Sequence, residues 1–453
     1  MATLLSSLFR EKMKETKDIA QTTEMTYSVS YPTGILPLDY VTSYLQEIDG
    51  KRYFEFGFTD GSINTLIGAS GVGKTSLLTT MACNMVKPFK TSCIFFDQIE
   101  VGTNVQRIKN LSGFGDNDKF SGRFIIRDAG ITVESIYKRI MNIHTIKINN
   151  KDKFMYDTGL HDMRGNKILK FEPTIYIIDS LKVLKSEKSV EVEETNNMSG
   201  ATNAKAMTEY FSLMMPMCRI SNIIIILVNH IAQRIQTGFF PKKSEFPFLA
   251  QDEHLPNAGL LNYISNIMFR LDINRKLDPD KEYGIHGTTV NVDMVKSRIN
   301  NTGKSRCTLV YNQDTGFDAD LSLFEFMKSN NLFEGSGAYL RVPGCDIKFS
   351  QRKFKEMLYT NPELFKAVNV FCLNYIRNMM VEKFNKIKEE NNRTGSVYDS
   401  IMSEFAKLNG EDINAPLWNV PEGDKKDKID NIMDLASDSS TESIVDSSEY
   451  DSN

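Results

Sequence analysis

Residues 63–78 read INTLIGASGVGKTSLL, and no other stretch limits the possible folds of this chain so tightly. Gly68, Gly73, Lys74 and Thr75 stand at the spacing G-x-x-x-x-G-K-[ST]. Ahead of them, Ile63, Leu66 and Ile67 have the apolar density of a buried strand. After them, Leu77, Leu78, Met81 and Met85 recur as one face of a helix. Strand, glycine-rich turn and helix in this order make a phosphate cradle. Glycines let successive N–H groups point inward, and the helix adds its positive N-terminal end. The segment is therefore expected to bind a nucleoside triphosphate through Gly68, Ser70, Gly71, Val72, Gly73, Lys74 and Thr75. Lys74 would reach the β- and γ-phosphates, and the Thr75 hydroxyl would hold Mg²⁺. The alternative is a glycine-rich turn without chemistry, which the strand–turn–helix setting disfavours.

Around this segment, apolar strand-like runs alternate with helical stretches. Residues 92–97 (SCIFFD), 124–127 (FIIR), 174–179 (TIYIID) and 223–229 (IIIILVN) read as strands. Residues 105–111, 136–146 and 203–221 carry helical periodicity. This predicts an α/β fold with a mostly parallel sheet covered on both faces. Three further strand stretches, NIMFRLDI, TTVNVDMVKSRI and CTLVYNQ, alternate polar and apolar residues at close spacing. They predict an antiparallel extension of the sheet. Gly34 and Pro37 punctuate a turn before a helical stretch. Residues 149–173 interrupt the alternation and read as a surface hairpin with no chemistry of its own.

The ends of the chain differ from its middle. Residues 4–20 predict a detached amphipathic helix carrying Leu4, Leu5, Leu8 and Phe9, which either packs on its own core or docks on a neighbouring subunit. A small helical region starts near Gly337. Residues 434–453 hold six acids and seven serines with no lysine or arginine, a composition that predicts disorder. The expected domains are an N-terminal oligomerisation helix and linker (1–30), the ATPase core (31–335), an α-rich region (336–425) and an acidic, serine-rich tail (426–453).

Composition excludes several classes. With 41% hydrophobic residues and no apolar run of spanning length, no membrane helix is expected. The N-terminal residues lack the pattern of a signal peptide. Six cysteines without a C-x-x-C pair indicate neither a zinc ribbon nor a disulfide framework, which fits a reducing cytoplasm, a host's if the chain is viral. The net charge of −4 means that nucleic-acid binding would have to come from a local basic surface.

Two acidic positions complete the expected site. Asp179 ends the strand TIYIID, at the sheet edge where open α/β folds bind ligands, and is suited to the Mg²⁺ shell opposite Thr75. Hydrolysis also needs a group to orient the attacking water. The end of the second strand, FFDQIE, offers Asp97 and Glu100; Glu100 is preferred. A carboxylate there is expected beside the strand that carries Gly68.

Taken together, these segments follow the order of the RecA-type recombinases. The chain most resembles the phage recombinases of the UvsX kind. TGILPLDYV is similar to the family's segment before the nucleotide fold. MSGATNAKAMTEYFSLMMPMCRISNIIIILVNHI resembles the stretch from the first DNA-binding loop through the sensor strand. DMVKSRINNTGKSRCTLVYNQDTGFD resembles the segment that reaches across a subunit interface. The resemblance covers about residues 33–332.

It implies a RecA-like P-loop ATPase core, with ATP and Mg²⁺ as cofactors. Glu100 would be the catalytic carboxylate and Arg107 would stack on adenine. Asn229 and His230 would be the sensor. Lys296 and Arg298 would reach the neighbouring copy's ATP. DNA would be held by two loops. The first, about 185–203, offers Asn197, Ser199 and Gly200. The second, about 232–256, offers Arg234, Phe239, Phe240, Lys242 and Lys243, with Phe246 and Phe248 as further rings, cations meeting phosphates and rings meeting bases. The same rings could instead pack on a partner subunit. The implied function is ATP-dependent strand exchange by a helical filament of this chain on single-stranded DNA, paired with homologous duplex. A single-strand-binding protein and a recombination mediator are further partners it raises. Two alternatives stay open: a hexameric replicative helicase of the same core fold, and a DNA-coating filament without turnover.

Overall fold

Strands buried on both sides must feed two apolar layers, and the order of residues along them does so here. The computed structural model describes residues 28–48, 50–100, 104–114, 117–161, 167–193, 199–233, 244, 246–299, 305–335 and 339–391. The expected N-terminal helix and acidic tail lie outside them. By contact the chain divides between Ile387 and Lys388, and of the second unit only residues 388–391 are described.

Nine strands form the main sheet: β1 (Ile63–Gly68), β2 (Ile94–Gln98), β3 (Phe124–Arg127), β4 (Thr174–Asp179), β5 (Ile223–His230), β6 (Ile267–Lys276), β7 (Gly287–Ser297), β8 (Arg306–Asn312) and β9 (Gly316–Asp318). Their spatial order is β9-β8-β7-β6-β1-β5-β4-β2-β3. From β6 to β3 all pairings are parallel. From β6 to β9 they are antiparallel. The expected α/β class, the mostly parallel sheet and its antiparallel extension are all present.

The helices used below are α1 (Leu36–Thr42), α2 (Lys74–Val86), α3 (Val105–Ser112), α4 (Val133–Asn149), α5 (Ser199–Ser221), α6 (Ala319–Ser329) and α7 (Pro362–Asn391). On one face of the sheet, Ile175, Ile177, Ile224, Ile226 and Val228 pack with Leu77, Leu78 and Met81 of α2. On the other, Tyr176, Ile178, Ile223, Ile225 and Leu227 pack with α4 and α5. Consecutive residues of β4 and β5 thus serve opposite layers, as the two-residue period of a strand requires. No described helix is long and apolar enough to cross a membrane.

Helix α4 shows how a stripe is used. A capping box between Thr132 and Ser135 starts it. Val133, Ile136, Ile140, Ile143 and Lys147 then occupy its buried side. Lys147 is the exception in chemistry but not in place. Its Nζ donates to the carbonyl oxygens of Glu172 (2.7 Å) and Ser221 (2.9 Å), closing the C-terminal end of α5. Burial pushes this ammonium down to about 7 from its ordinary 10.5. Within that window the unfolded chain holds the proton more fully than the folded one, so this group makes stability rise with pH. One proton is worth up to about 1.4 kcal/mol per pH unit. Urea unfolding at pH 7 and pH 9 is expected to show a larger gain for the wild type than for Lys147→Met.

Four further features match the expectation, differ from it or extend it. The helical stretch after Gly34 is short: Pro37 lies in the first turn of α1, where its missing N–H costs nothing. After Thr42 the chain turns into an unanticipated hairpin, Tyr44–Ile48 paired with Lys51–Glu55. The 149–173 excursion is the predicted hairpin, Met155–His161 paired with Lys167–Phe171. In the C-terminal region, Leu364, Val368, Cys372 and Ile376 of α7 share one cluster with Tyr40 of α1, Val310 of β8 and Phe324 of α6.

Candidate active site

Strand β1 delivers the chain to a tight turn, 69–73, and α2 begins at Lys74. Two glycines there are required by space. At Gly68 a Cβ would come within 2.5 Å of the Leu271 carbonyl oxygen on β6. Gly73, the N-cap of α2, has φ 91°, and a Cβ there would press on the Phe317 ring at 3.1 Å. Ser70, Gly71 and Val72 complete the turn.

Four elements converge on this turn. Lys74 is buried, and its Nζ donates to the carbonyl oxygens of Gly68 (2.9 Å) and Ala69 (2.7 Å). Its Nζ also lies 3.3 Å from Nδ1 of His230, at the end of β5. Nε2 of His230 lies 3.1 Å from Oε2 of Glu100, and Oε1 of Glu100 accepts from the Ser180 hydroxyl at 2.5 Å. The Thr75 hydroxyl donates to Oδ2 of Asp179 at 2.7 Å. Lys74, Thr75, Glu100, Asp179, Ser180 and His230 thus surround one small volume at the C-terminal edge of the parallel strands.

The electrostatics follow from burial. Burial pushes the Lys74 ammonium down to about 8. It raises the Asp179 carboxyl, against the hydrogen bond from Thr75. It lowers His230, with the Lys74 charge adding to the effect. A neutral His230 that accepts from Lys74 at Nδ1 carries its proton on Nε2 and donates it to Glu100, which is the tautomer these partners select.

The route by which Glu100 arrives corrects the expectation. Its strand, β2, is not beside β1; β4 and β5 lie between. The chain instead folds over the tip of β4, where the amides of Ile99 (2.7 Å) and Glu100 (3.3 Å) donate to the Asp179 carbonyl oxygen. The competing acid, Asp97, does another job. It is fully buried and accepts from Arg127 (Nη2, 2.6 Å), Arg139 (2.7 Å) and the Tyr176 hydroxyl (2.5 Å). Asp97→Ala is expected to leave two arginines facing a buried gap and to cost about 3–5 kcal/mol in denaturant unfolding. A loss below about 1 kcal/mol would mean that the cluster contributes little net stability.

Arg107, on α3, points to the same end of the sheet. Its Nη2 donates to the Tyr311 hydroxyl (2.8 Å) and the Gln313 carbonyl oxygen (3.3 Å). Tyr311 and Phe317 lie with ring centroids 5.0 Å apart, and both approach Gly73. An aromatic wall with a guanidinium beside it therefore borders the turn. Sequence reasoning named Arg107 but missed Tyr311, Phe317 and Ser180. The two rings sit in the antiparallel extension, and only its fold-back onto α2 brings them here.

Lys296 and Arg298 are placed elsewhere. Lys296 pairs across β6 with Met268, and Met268 with Thr65, near the start of β1 rather than its end. Their side chains donate to the carbonyl oxygens of Asn262 and Tyr263, at the C-terminal end of the helix Ala258–Ile264, a favourable place for cations. Burial, then the charge of Arg298, lowers Lys296 to about 8. Within one chain the pair stands on the sheet edge opposite the turn.

Of the expected DNA-contacting residues, Asn197, Arg234, Phe239, Phe240, Lys242 and Lys243 lie outside the described residues. Ser199 and Gly200 form the first turn of α5. The feet of both loops are held. Asn203 bonds to the backbone of Leu184 (3.0 Å) and Ser186 (2.8 Å). Ala232–Gln233 pairs with Glu253–His254, and Arg270 ties Glu253 to β6 with a 2.7 Å ion pair. Phe246 and Phe248 stack on each other at 5.4 Å and pack on their own core, which accounts for them without bases or a partner. The buried amide of Asn229 donates to the Pro256 carbonyl oxygen at 2.6 Å, so the strand ending in His230 is bonded to the far foot of the second loop. Neither a scan against protein-family models nor a search of curated proteins returns a match to this chain.

Proposed function

We propose that this chain is an ATP-dependent DNA strand-exchange protein with a RecA-like core, working as a filament on single-stranded DNA. One arrangement carries the reading. Lys74, Thr75, Glu100, Asp179 and His230 meet at a glycine-rich turn, and the strand that ends in His230 is tied through Asn229 to the second loop. A triphosphate in the turn would meet the amides of 70–75, the Lys74 ammonium and the start of α2. Arg107, Tyr311 and Phe317 would flank the base. Thr75 and Asp179 suit a Mg²⁺ site. Among the described residues no cluster of three or more His, Cys, Asp or Glu could hold a metal alone. When bound, the ion neutralises charge on the β- and γ-phosphate oxygens.

Glu100 would accept a hydrogen bond from the attacking water and orient it toward the γ-phosphorus. His230 would hold Glu100 with its Nε2–H and sense phosphate through its position beside Lys74. Loss of the γ-phosphate would shift His230, hence Asn229 and the loop foot at Pro256. Lys296 and Arg298, on the opposite edge, would meet the nucleotide of the next copy. Two unlike edges that fit each other make a head-to-tail interface, which generates a filament or a ring.

Purified protein with ATP, Mg²⁺, single-stranded DNA and homologous duplex is expected to form joint molecules. Electron microscopy with a slowly hydrolysed ATP analogue is expected to show open filaments. Closed rings without joint molecules would replace this reading with a helicase. Filaments without turnover would replace it with a coating protein.

A further inference from the structure

We propose that the inserted hairpin builds a second nucleic-acid contact, a phosphate-binding pocket on the edge of the sheet away from the candidate active site. The pocket encloses about 320 Å³ between the hairpin strand Lys167–Phe171 and the ends of α4 and α5. His144, Lys151, Lys170 and Arg219 line it, and no carboxylate does. In a chain of net charge −4, that local imbalance is what phosphate binding requires. Lys170 is paired with Asp60 at 2.8 Å. Arg219 and Lys151 are exposed, and neither has an ion-pair partner among the described residues. The floor is apolar. Leu169 is 47% exposed on the hairpin and Phe171 lies behind it, with the buried Lys147 ammonium 5.9 Å from the Phe171 ring. Cations at a rim over an apolar floor suit a single strand, whose phosphates take the charges while bases lie on the floor. Arg219 stands in the last turn of α5 and Lys151 in the short helix ahead of the hairpin, so the two cations come from separate elements and share one pocket with the exposed Leu169.

The pocket does not require the ATP site, so its test is made without nucleotide. Anisotropy of a labelled oligodeoxythymidylate is measured on the full chain between about 50 and 200 mM salt. The variant Arg219→Glu with Lys151→Glu is expected to bind at least about threefold more weakly. Removing two phosphate contacts from a single strand is also expected to make the log K against log salt slope shallower by about 1.4. The milder Arg219→Gln with Lys151→Gln, with thermal melting on both variants, guards against a folding defect and is expected to show the same slope change. Unchanged affinity and slope would overturn the pocket. So would loss of self-association at unchanged affinity, which marks an interface between copies, or equal competition by tripolyphosphate at matched charge, which marks a free-anion site. A slope change in a protein with no strand exchange would keep this pocket and reject the function proposed above; the reverse result would do the opposite.

Discussion

Glu100→Gln is expected to bind ATP within a few-fold of wild type and to lose DNA-stimulated turnover by about 10²–10⁴-fold, the range for removing a positioned base. The substitution keeps the size and the hydrogen bond that Ser180 donates at 2.5 Å, so the backbone at the tip of β4 should hold. It removes the negative charge that His230 faces at 3.1 Å. The measurement is steady-state phosphate release with saturating single-stranded DNA, alongside titration of a fluorescent ATP analogue. Equal losses in affinity and turnover would mean that Glu100 only supports the turn. Undiminished turnover would assign the water to another group.

The second large effect concerns two copies at once. Lys296→Ala with Arg298→Ala is expected to lower turnover by about 10³–10⁵-fold, as for a cation supplied in trans to a transferring phosphoryl group. Lys74→Ala is expected to be equally inactive for a different reason, since it empties the turn of its own cation. Mixing the two inactive proteins should restore activity, because an intact turn from one copy then meets intact cations from the other. With random assembly the recovery is roughly a quarter of wild type. The competing account is local: both side chains donate to carbonyl oxygens at the end of the helix Ala258–Ile264. If capping that helix is all they do, the double variant melts earlier, keeps its turnover per folded molecule and gains nothing from mixing.

Much of this architecture is legible in the amino-acid sequence. The parallel strands announce themselves because both their faces are buried, so β4 and β5 read as unbroken apolar runs. Helix α5 was legible because Met207, Tyr210, Phe211 and Met214 recur at helical spacing. The residues around the turn were legible because each ends a strand or starts a helix at the sheet's ligand edge. The hairpin at Tyr44–Ile48 was not, since half-buried Tyr44, Leu45 and Gln46 in a row leave no strong period. Nor was the job of Asp97. An acid at a strand end looks the same in sequence whether it meets water or two arginines.

By itself, then, the order of residues determined the class of fold, the glycine-rich turn and all but Ser180 of the polar groups that meet there. These depend on contacts near in sequence and on periodicities that burial imposes directly. Tertiary structure alone decided which carboxylate enters the site, by folding Ile99 and Glu100 over the tip of β4 and sending Asp97 into an arginine cluster. It also decided that Tyr311 and Phe317 flank the turn, and that Lys296 and Arg298 stand on the other edge. Such placements depend on strand order and on which layer a loop crosses. Sequence spacing does not encode them, because the partners lie tens to hundreds of residues apart and meet only when the sheet closes.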